Sequence, residues 1–248
     1  MADDKPLAGQ AAIVTGGVRR IGRATALALA RAGASVVINA RSSRAEAERV
    51  AQEVEAAGAR ALVALADVTD EHAVAGMVAS TIAAFGRADI LVNNAANRAE
   101  SPFLQMSFAQ WREITGVMLD GAFLCSRAML AHMVKNKHGR IVNIGGVSSH
   151  LGAGRRAHVG AAKAGLVGLT RALAAEFATQ GITVNCVVPG RIGGERSANS
   201  GRGITADPPV GREGVPEDVG NMICTLCLPT SGYITGQTIH VNGGLFMP

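Results

Sequence analysis

Short apolar runs alternate with longer helical stretches along almost the whole chain. The apolar runs predict seven buried strands, and the segments between them carry apolar residues at helical spacing. The predicted strands are AAIVT (11–15), SVVIN (35–39), RALVALAD (60–67), DILVNN (89–94), GRIVNIG (139–145), GITVNCVVPG (181–190) and QTIHVNGG (237–244). The predicted helices cover about 20–32, a stretch ending near 57, 70–85, 108–135, 157–179 and 216–228.

The predicted strands are continuously apolar, which is typical of a parallel sheet covered by helices on both faces. Regular β-α-β alternation therefore predicts an α/β fold, a single doubly wound domain over residues 1–248. Residues 191–214, rich in Gly, Arg, Ser and Pro, form the one long irregular stretch. A segment of that kind in a compact domain predicts a lid or substrate-binding loop.

Composition favours a reduced cytoplasmic protein. The chain has 248 residues, 48% of them hydrophobic, which is enough for a full core. The polar, acidic start MADDKPLAG predicts no signal peptide, and without a run of about 18 apolar residues we expect no membrane span. The four cysteines lie in apolar contexts, and the single CxxC has no second pair or nearby His, so packing is favoured over metal or redox chemistry. These cysteines are Cys125, Cys186, Cys224 and Cys227.

The net charge of +5 comes from 24 basic and 19 acidic residues. Because aromatic side chains do not interleave with the basic ones, we expect no nucleic-acid partner. The arginines are nevertheless clustered, which indicates either solvated helix ends or an anion site. The clusters are Arg19, Arg20 and Arg23, then Arg41 and Arg44, then Arg155 and Arg156.

A glycine-rich turn, TGGVRRIG (15–22), joins the first predicted strand to the first helix. Glycines at such a junction let the backbone approach a pyrophosphate, whose charge is stabilised at the helix N-terminus. Asp67-Val68 follows the third predicted strand, NNAA (93–96) the fourth and Pro189-Gly190 the sixth. In that context the turn predicts a dinucleotide site.

Together these motifs resemble the short-chain dehydrogenase/reductase family, in its 3-oxoacyl-carrier-protein-reductase-like branch. The resemblance covers nearly the whole chain and ends in YITGQTIHVNGG (233–244). It implies a Rossmann fold with a seven-stranded parallel sheet in the order 3-2-1-4-5-6-7, and a homotetramer or homodimer. The cofactor residues that it implies are Gly16, Arg19, Arg20, Ile21, Gly22, Arg41, Ser42, Asp67, Val68, Asn94, Ala95, Lys163, Pro189, Gly190 and Ile192.

The chain departs from the family pattern TGxxxGxG, because Arg20 occupies the middle glycine, as in pteridine reductases. We expect that arginine to be unsuited to a permissive turn position, and its side chain to reach the adenosine side of the cofactor. After the second strand, Ala40 stands where NAD-preferring members carry an acid. With no carboxylate to repel a 2′-phosphate, Arg41 with Arg19 or Arg20 could clamp it, so NADP(H) is favoured over NAD(H).

The resemblance also locates the catalytic positions. Family members use Tyr as proton donor, Ser to hold the substrate oxygen, Lys to lower the Tyr pKa, and Asn to support a relay water. Their YxxxK aligns with VGAAK, which retains Lys163 but puts Val159 in place of Tyr; Gly146 takes the Ser position and Met118 the Asn position. Because a general acid typically contributes about 10²–10⁴ in rate, ordinary ketone reduction should be crippled.

Other groups near these positions are possible substitutes. His158 adjoins Val159, but the helical rotation predicts that it faces elsewhere, as a surface or supporting histidine. Ser148 or Ser149 could be presented by a shifted loop, and His150 and Arg155 lie on the same segment. We expect Asp120 at the helix surface or a subunit contact, and Tyr233 in a structural or interface role.

Three functions remain open. The first is an NADP(H)-dependent oxidoreductase whose substrate, such as an imine or a conjugated ring, needs little acid catalysis. The second is a non-catalytic relative that acts as a cofactor-binding sensor or pairs with an active homologue in a hetero-oligomer. The third keeps a 3-oxoacyl thioester as ligand, for which Lys137 offers a basic docking residue and Gln180 does not.

Overall fold

The computed structural model describes residues 5–97, 99–194 and 206–248. Seven parallel strands form one sheet in the order β3-β2-β1-β4-β5-β6-β7, which confirms the predicted α/β fold and strand order. The strands are β1 (Ala11–Val14), β2 (Ser35–Ala40), β3 (Ala61–Leu65), β4 (Ile90–Asn93), β5 (Gly139–Ile144), β6 (Ile182–Pro189) and β7 (Thr238–Val241).

Helices cover both faces of the sheet. Helices α1, α2 and α8 pack on one face and α3, α5 and α7 on the other, each set over its own apolar cluster. The helices are α1 (Arg20–Arg31), α2 (Arg44–Ala56), α3 (Glu71–Phe85), α4 (Phe108–Thr115), α5 (Gly121–Asn136), α6 (Ser148–Leu151), α7 (Ala157–Phe177) and α8 (Pro216–Cys227).

The order of the strands reverses between β1 and β4, which pair with each other at the centre of the sheet. In open parallel sheets, ligands bind outside the carboxyl ends of the strands at such a reversal. The segments that follow β1, β4, β5 and β6 therefore meet at one edge. This edge is where the sequence motifs converge.

The stretch predicted as one helix over 108–135 is interrupted. A π-helical turn, Gly116–Asp120, joins α4 to α5. By length and composition alone, Phe108–Asn136 would also suit a membrane span, but half of its most apolar window is buried. Because Cys125, Met129 and Met133 pack into the core beneath the sheet, we interpret α5 as a core helix.

The predicted substrate loop is described only at its two ends. Ile192 and Gly214 form a parallel bridge, and Gly193 N–H donates to Gly214 O at 2.8 Å, so the ends are held together. Residues 195–205 lie outside the described residues. A lid role for 191–214 therefore stays a prediction.

The cysteines behave as packing residues. Burial raises the pKa of the Cys125 thiol to about 12 and of the Cys186 thiol to about 11. In the CxxC, burial also raises the pKa of both thiols, and neither forms a disulfide. Within the described ranges, no three His, Cys, Asp or Glu side chains are grouped to hold a metal ion.

Candidate active site

The glycine-rich turn after β1 is tied to the segment after β4. The Thr15 hydroxyl accepts from the backbone N–H groups of Asn94 and Ala95 at 2.9 and 3.0 Å. The Asn94 side-chain amide donates back to the carbonyls of Thr15 and Gly16, both at 2.9 Å. These bonds fix the turn on both sides of the strand reversal. Four of the predicted cofactor residues, Gly16, Gly22, Asn94 and Ala95, thus lie together.

Glycine is required at Gly22 because a side chain there would collide with backbone. An added Cβ would lie far inside contact distance of Gly16 O and about 3.0 Å from the Cα of Gly17. The first turn of α1 can therefore approach the loop closely, as in dinucleotide-binding turns. Gly190 after β6 is equally constrained, with an added Cβ only 2.6 Å from the Cα of Asn242.

Arg20 corrects two expectations about the turn. It has a φ of +46°, so it occupies the left-handed conformation that favours glycine, despite its side chain. Its guanidinium donates from Nη2 to Ile192 O at 2.9 Å and from Nη1 to Gly194 O at 2.8 Å. These partners follow β6, whereas the adenosine side lies towards β2, on the other side of β1. The expected reach towards the adenosine side is therefore wrong.

The adenosine side carries the other predicted residues. Arg19 forms an ion pair with Glu46 at 3.2 Å, while Arg41 and Ser42 are exposed after β2. Hydrogen bonds from the Thr69 backbone and hydroxyl lower the pKa of Asp67, and the charge of Arg41 adds to this. Val68 is buried beside it. This half of the cleft is open, and Arg41 stands exposed in it.

On the β6 side, where the family resemblance places the nicotinamide, Arg20 borders a cavity of about 80 Å³. It is bordered by Ile21 of α1, Lys163 of α7, Pro189 at the end of β6, and Gly190 and Ile192 after that strand. Lys163 is buried, and its Nζ donates to Ile144 O at the end of β5. The structure thus brings these five predicted cofactor residues to one cavity.

Met118 and Val159 belong to one buried apolar cluster with Ile114 and Ala162. Met118 sits at the centre of the π-helical turn and is 2% exposed, while Val159 also borders the cavity. A π turn changes the direction in which a helix presents its side chains, and such turns recur at functional sites. The π-helical turn is therefore present at this site, and the side chain that it presents, Met118, is apolar.

Gly146 and Ser148 lie on the cavity wall after β5. An added Cβ on Gly146 would stand 3.8 Å from Lys163 Cγ and 3.9 Å from Ser148 Oγ, which are ordinary contacts. A serine would therefore fit at 146. The segment that was expected to be a shifted loop is the short helix α6, in which the Ser149 hydroxyl donates to Gly146 O at 2.7 Å.

The proposed substitute His158 does not border the cavity. It is fully buried, so the expectation of a surface histidine is wrong and the supporting one remains. Its Nδ1 accepts from the backbone N–H of Val159 at 3.0 Å, and Nε2 has no partner among the described residues. Burial lowers its pKa, so the ring is neutral near pH 7.

The remaining candidates lie further away. Arg155 is exposed with a φ of +64°. Asp120 pairs with Arg112 at 2.8 Å on the helix surface, as expected. Tyr233 is fully exposed, and its interface role stays a prediction. His150 packs its ring 4.8 Å from that of His240 and 5.2 Å from that of Phe246.

We expect the His150–His240 pair to make stability depend on pH. Burial lowers the pKa of both rings below 6.5, and His150 lowers that of His240 further. As the pH falls below about 6.5, the unfolded chain binds protons that the folded chain resists, so the free energy of unfolding decreases.

A His150→Phe variant should lose less stability between about pH 7.5 and 5.5 than the natural chain, measured by urea denaturation. His138 and His158, whose pKa values are also lowered, are unchanged in both proteins; an equal loss would contradict the account.

Sequence reasoning missed Arg156 and Arg191, which also border the cavity. Arg156 is 9% exposed, and its Nη2 lies 2.7 Å from a carboxylate oxygen of Glu100. Arg191 contacts Asp207 and Glu213 at 2.7 and 2.6 Å. The clustering of arginines in the sequence was only a weak indication that Arg156 belongs to the site, since its neighbour Arg155 in the same cluster is solvated.

The doubly wound sheet, the glycine turn at its reversal and the lysine cavity define a Rossmann-type fold of the dehydrogenase kind. A family described as enoyl-(acyl carrier protein) reductase matches residues 16–246. A crystal structure from Sinorhizobium meliloti, provisionally described as a short-chain alcohol dehydrogenase, superposes with a TM-score of 0.88 at 35% identity, covering 97% of this chain and 98% of that one. The chain belongs to the short-chain dehydrogenase/reductase family.

Curated relatives cover nearly the same length. A 3-oxoacyl-acyl-carrier-protein reductase of Synechocystis is 40% identical over 97% of this chain and 98% of its own. The corresponding reductase FabG of Escherichia coli is 39% identical over 96% and 98%. BbsD of Thauera aromatica, named as a subunit of a hydroxy(phenyl)methylsuccinyl-CoA dehydrogenase, is 44% identical over 94% and 95%. The relatives are thus named as oxidoreductases.

Proposed function

We propose that this chain is a catalytically silent short-chain dehydrogenase/reductase that assembles as a subunit with an active homologue. The observation that carries the proposal is the cluster at the positions that the family resemblance assigns to the catalytic Asn and Tyr. There Met118 and Val159 share one buried apolar cluster. Hydrocarbon side chains therefore stand at the two positions where the resemblance places polar groups.

The other cavity groups do not replace that donor. Among the described residues that border the cavity, none is a His, Asp, Glu, Cys or Tyr. Arginine does not release a proton at physiological pH, and a serine hydroxyl is a very weak acid. Lys163 directs its Nζ at Ile144 O. Hydride transfer to an ordinary ketone would therefore proceed without the positioned hydroxyl that protonates the alkoxide in the family.

An unpartnered helix face supports the subunit role. Small residues line the exposed face of α7, and the neighbouring α5 leaves Phe123 47% exposed. These α7 residues are Ala157, Ala161, Ala164, Gly168, Ala172 and Ala175. The exposed Arg171 interrupts this face, and exposed apolar surface on either side of it is typical of protein interfaces. The relative BbsD is itself named as one subunit of its dehydrogenase, which supports a subunit role here. We propose that the complex is cytoplasmic.

Native mass spectrometry of the tagged chain, purified from its source cells, tests the assembly. We expect a complex with a second family member that carries Ser, Tyr and Lys at the positions corresponding to 146, 159 and 163. Self-association alone, as a homodimer or homotetramer, would contradict the subunit role. The partner is identified by these three residues, because it must supply the catalytic groups that this chain lacks.

A second candidate is NADP(H)-dependent reduction of an imine or a conjugated ring. It is favoured by the basic, open adenosine side, where exposed Arg41 and Ser42 follow β2 without a carboxylate. Such substrates carry their own activation, so hydride transfer needs little acid catalysis. NADPH oxidation with imines or pterins, together with tighter binding of NADPH than NADH, would support this candidate. Because one relative is named as a 3-oxoacyl-acyl-carrier-protein reductase, a 3-oxoacyl thioester should be included among the substrates tested.

A further inference from the structure

We propose that Arg20 closes the nicotinamide half of the cleft, so that the natural chain binds a dinucleotide weakly or not at all. This inference extends the proposed function, a catalytically silent subunit, and rests on it. The cofactor that the fold family implies fits one half of the site and not the other. The adenosine side is open and basic, whereas the nicotinamide side is crossed by the Arg20 side chain.

The closure spans the cleft from one side to the other. Arg20 begins α1 after the glycine-rich turn that follows β1, and its two acceptors follow β6, which lies three strand positions away in the sheet. A dinucleotide in a doubly wound sheet lies across the carboxyl ends between such segments. The two hydrogen bonds, 2.8 and 2.9 Å long, therefore join the walls between which the cofactor would pass.

Both ends of this closure are anchored. Arg20 is held in the first turn of α1, where Arg23 N–H donates to Arg19 O at 3.1 Å. On the other wall, Ile192 is 4% exposed, and its segment bonds to Gly214 through Gly193 N–H and Arg191 O at 2.8 and 3.0 Å. A guanidinium presents its donors in a rigid fork, so two carbonyls at fixed spacing suit it better than a lysine.

The space beneath the closure is too small for the ligand. The cavity of about 80 Å³ contrasts with the roughly 300–1,000 Å³ of ordinary small-molecule sites. A glycine at position 20 would remove the side chain and still accept a φ of +46°. Arg20→Gly should therefore open the cleft without disturbing the turn.

The sign of the change in affinity decides between two roles for Arg20. If its guanidinium served the pyrophosphate as a counter-charge, its removal would weaken binding. If it closes the cleft, its removal strengthens binding. We would measure the dissociation constants of NADPH and NADH by titration calorimetry for the natural chain, Arg20→Gly, Arg20→Lys and the control Arg23→Gln. Arg23 lies on the same helix and pairs with Glu53 at 2.7 Å.

We expect Arg20→Gly to bind at least about tenfold more tightly than the natural chain, with Arg20→Lys between them and Arg23→Gln unchanged. Equal or weaker binding by Arg20→Gly would overturn the inference. Should the glycine variant not fold, as judged by circular dichroism, Arg20→Lys carries the test with the same signs, since a single ammonium cannot hold both carbonyls in the same geometry. The natural chain and the Arg20→Gly variant should form the complex with the homologue alike, so a failed closure and a failed subunit role give different results.

Discussion

We expect four substitutions together to give this chain a ketone reductase activity well above that of the natural protein. They are Arg20→Gly, Met118→Asn, Gly146→Ser and Val159→Tyr. The first opens the cleft, and the other three restore the groups that the family resemblance places around Lys163. A positioned acid and an oxygen-binding donor each contribute about 10² or more in rate. Because they act as a unit, we expect an increase of at least about 10²-fold over the natural chain rather than their product.

The structure explains why these side chains can be accommodated. Serine at 146 meets only ordinary contacts with Lys163 and Ser148, and a side chain at 159 already borders the cavity. Position 118 lies in the π-helical turn. Lys163, already buried at the cavity, is available to lower the pKa of a new tyrosine.

The matched control carries Phe rather than Tyr at 159 with the other three substitutions unchanged. It has nearly the same size and lacks only the hydroxyl, so its rate should stay near that of the natural chain. The rates of both variants would be measured with a 3-oxoacyl thioester as substrate, by monitoring the decrease in NADPH absorbance. Equal rates for the Tyr and Phe versions would show that acid catalysis was not the missing component.

Ala164→Arg should break the assembly without unfolding the chain. Ala164 lies midway along the exposed small-residue face of α7. A long charged side chain there would hold a facing helix away and leave a charge to be desolvated in the contact. We expect the dissociation constant of the complex to rise at least about 100-fold, measured by analytical ultracentrifugation.

The matched control for this variant is Ala79→Arg, the same change at an exposed position within α3. It tests whether added charge or lost helix propensity explains the result. The control should assemble as the natural chain does, and circular dichroism should show both variants folded. If Ala164→Arg still assembles normally, the interface lies elsewhere on the molecule.

The sheet could be predicted from the sequence because continuous apolar runs and regular alternation leave few arrangements. The glycine-rich turn after β1 could be predicted as well, because a side chain at Gly22 would collide with the backbone of Gly16 and Gly17. Its role in binding phosphate stays a prediction. The cavity that contains Lys163 lies at the carboxyl edge of the sheet, where the strand order reverses.

The side chains that decide function were harder to predict. The direction of Arg20 depends on carbonyls more than 170 positions away, which no local pattern encodes. The burial of His158 depends on how α7 packs, and no residue pattern around Met118 marks the π turn. Comparison with the family pattern predicts which polar groups are replaced, whereas only the packing shows that Met118 and Val159 lie in one buried apolar cluster.

The central claim, that this chain alone does not catalyse hydride transfer, is tested most directly under single-turnover conditions. The purified natural chain, in excess over NADPH, would be mixed with ketones, imines, pterins and a 3-oxoacyl thioester. We predict no NADPH oxidation above the background without protein for any of them. Stoichiometric oxidation with any one substrate would contradict the claim.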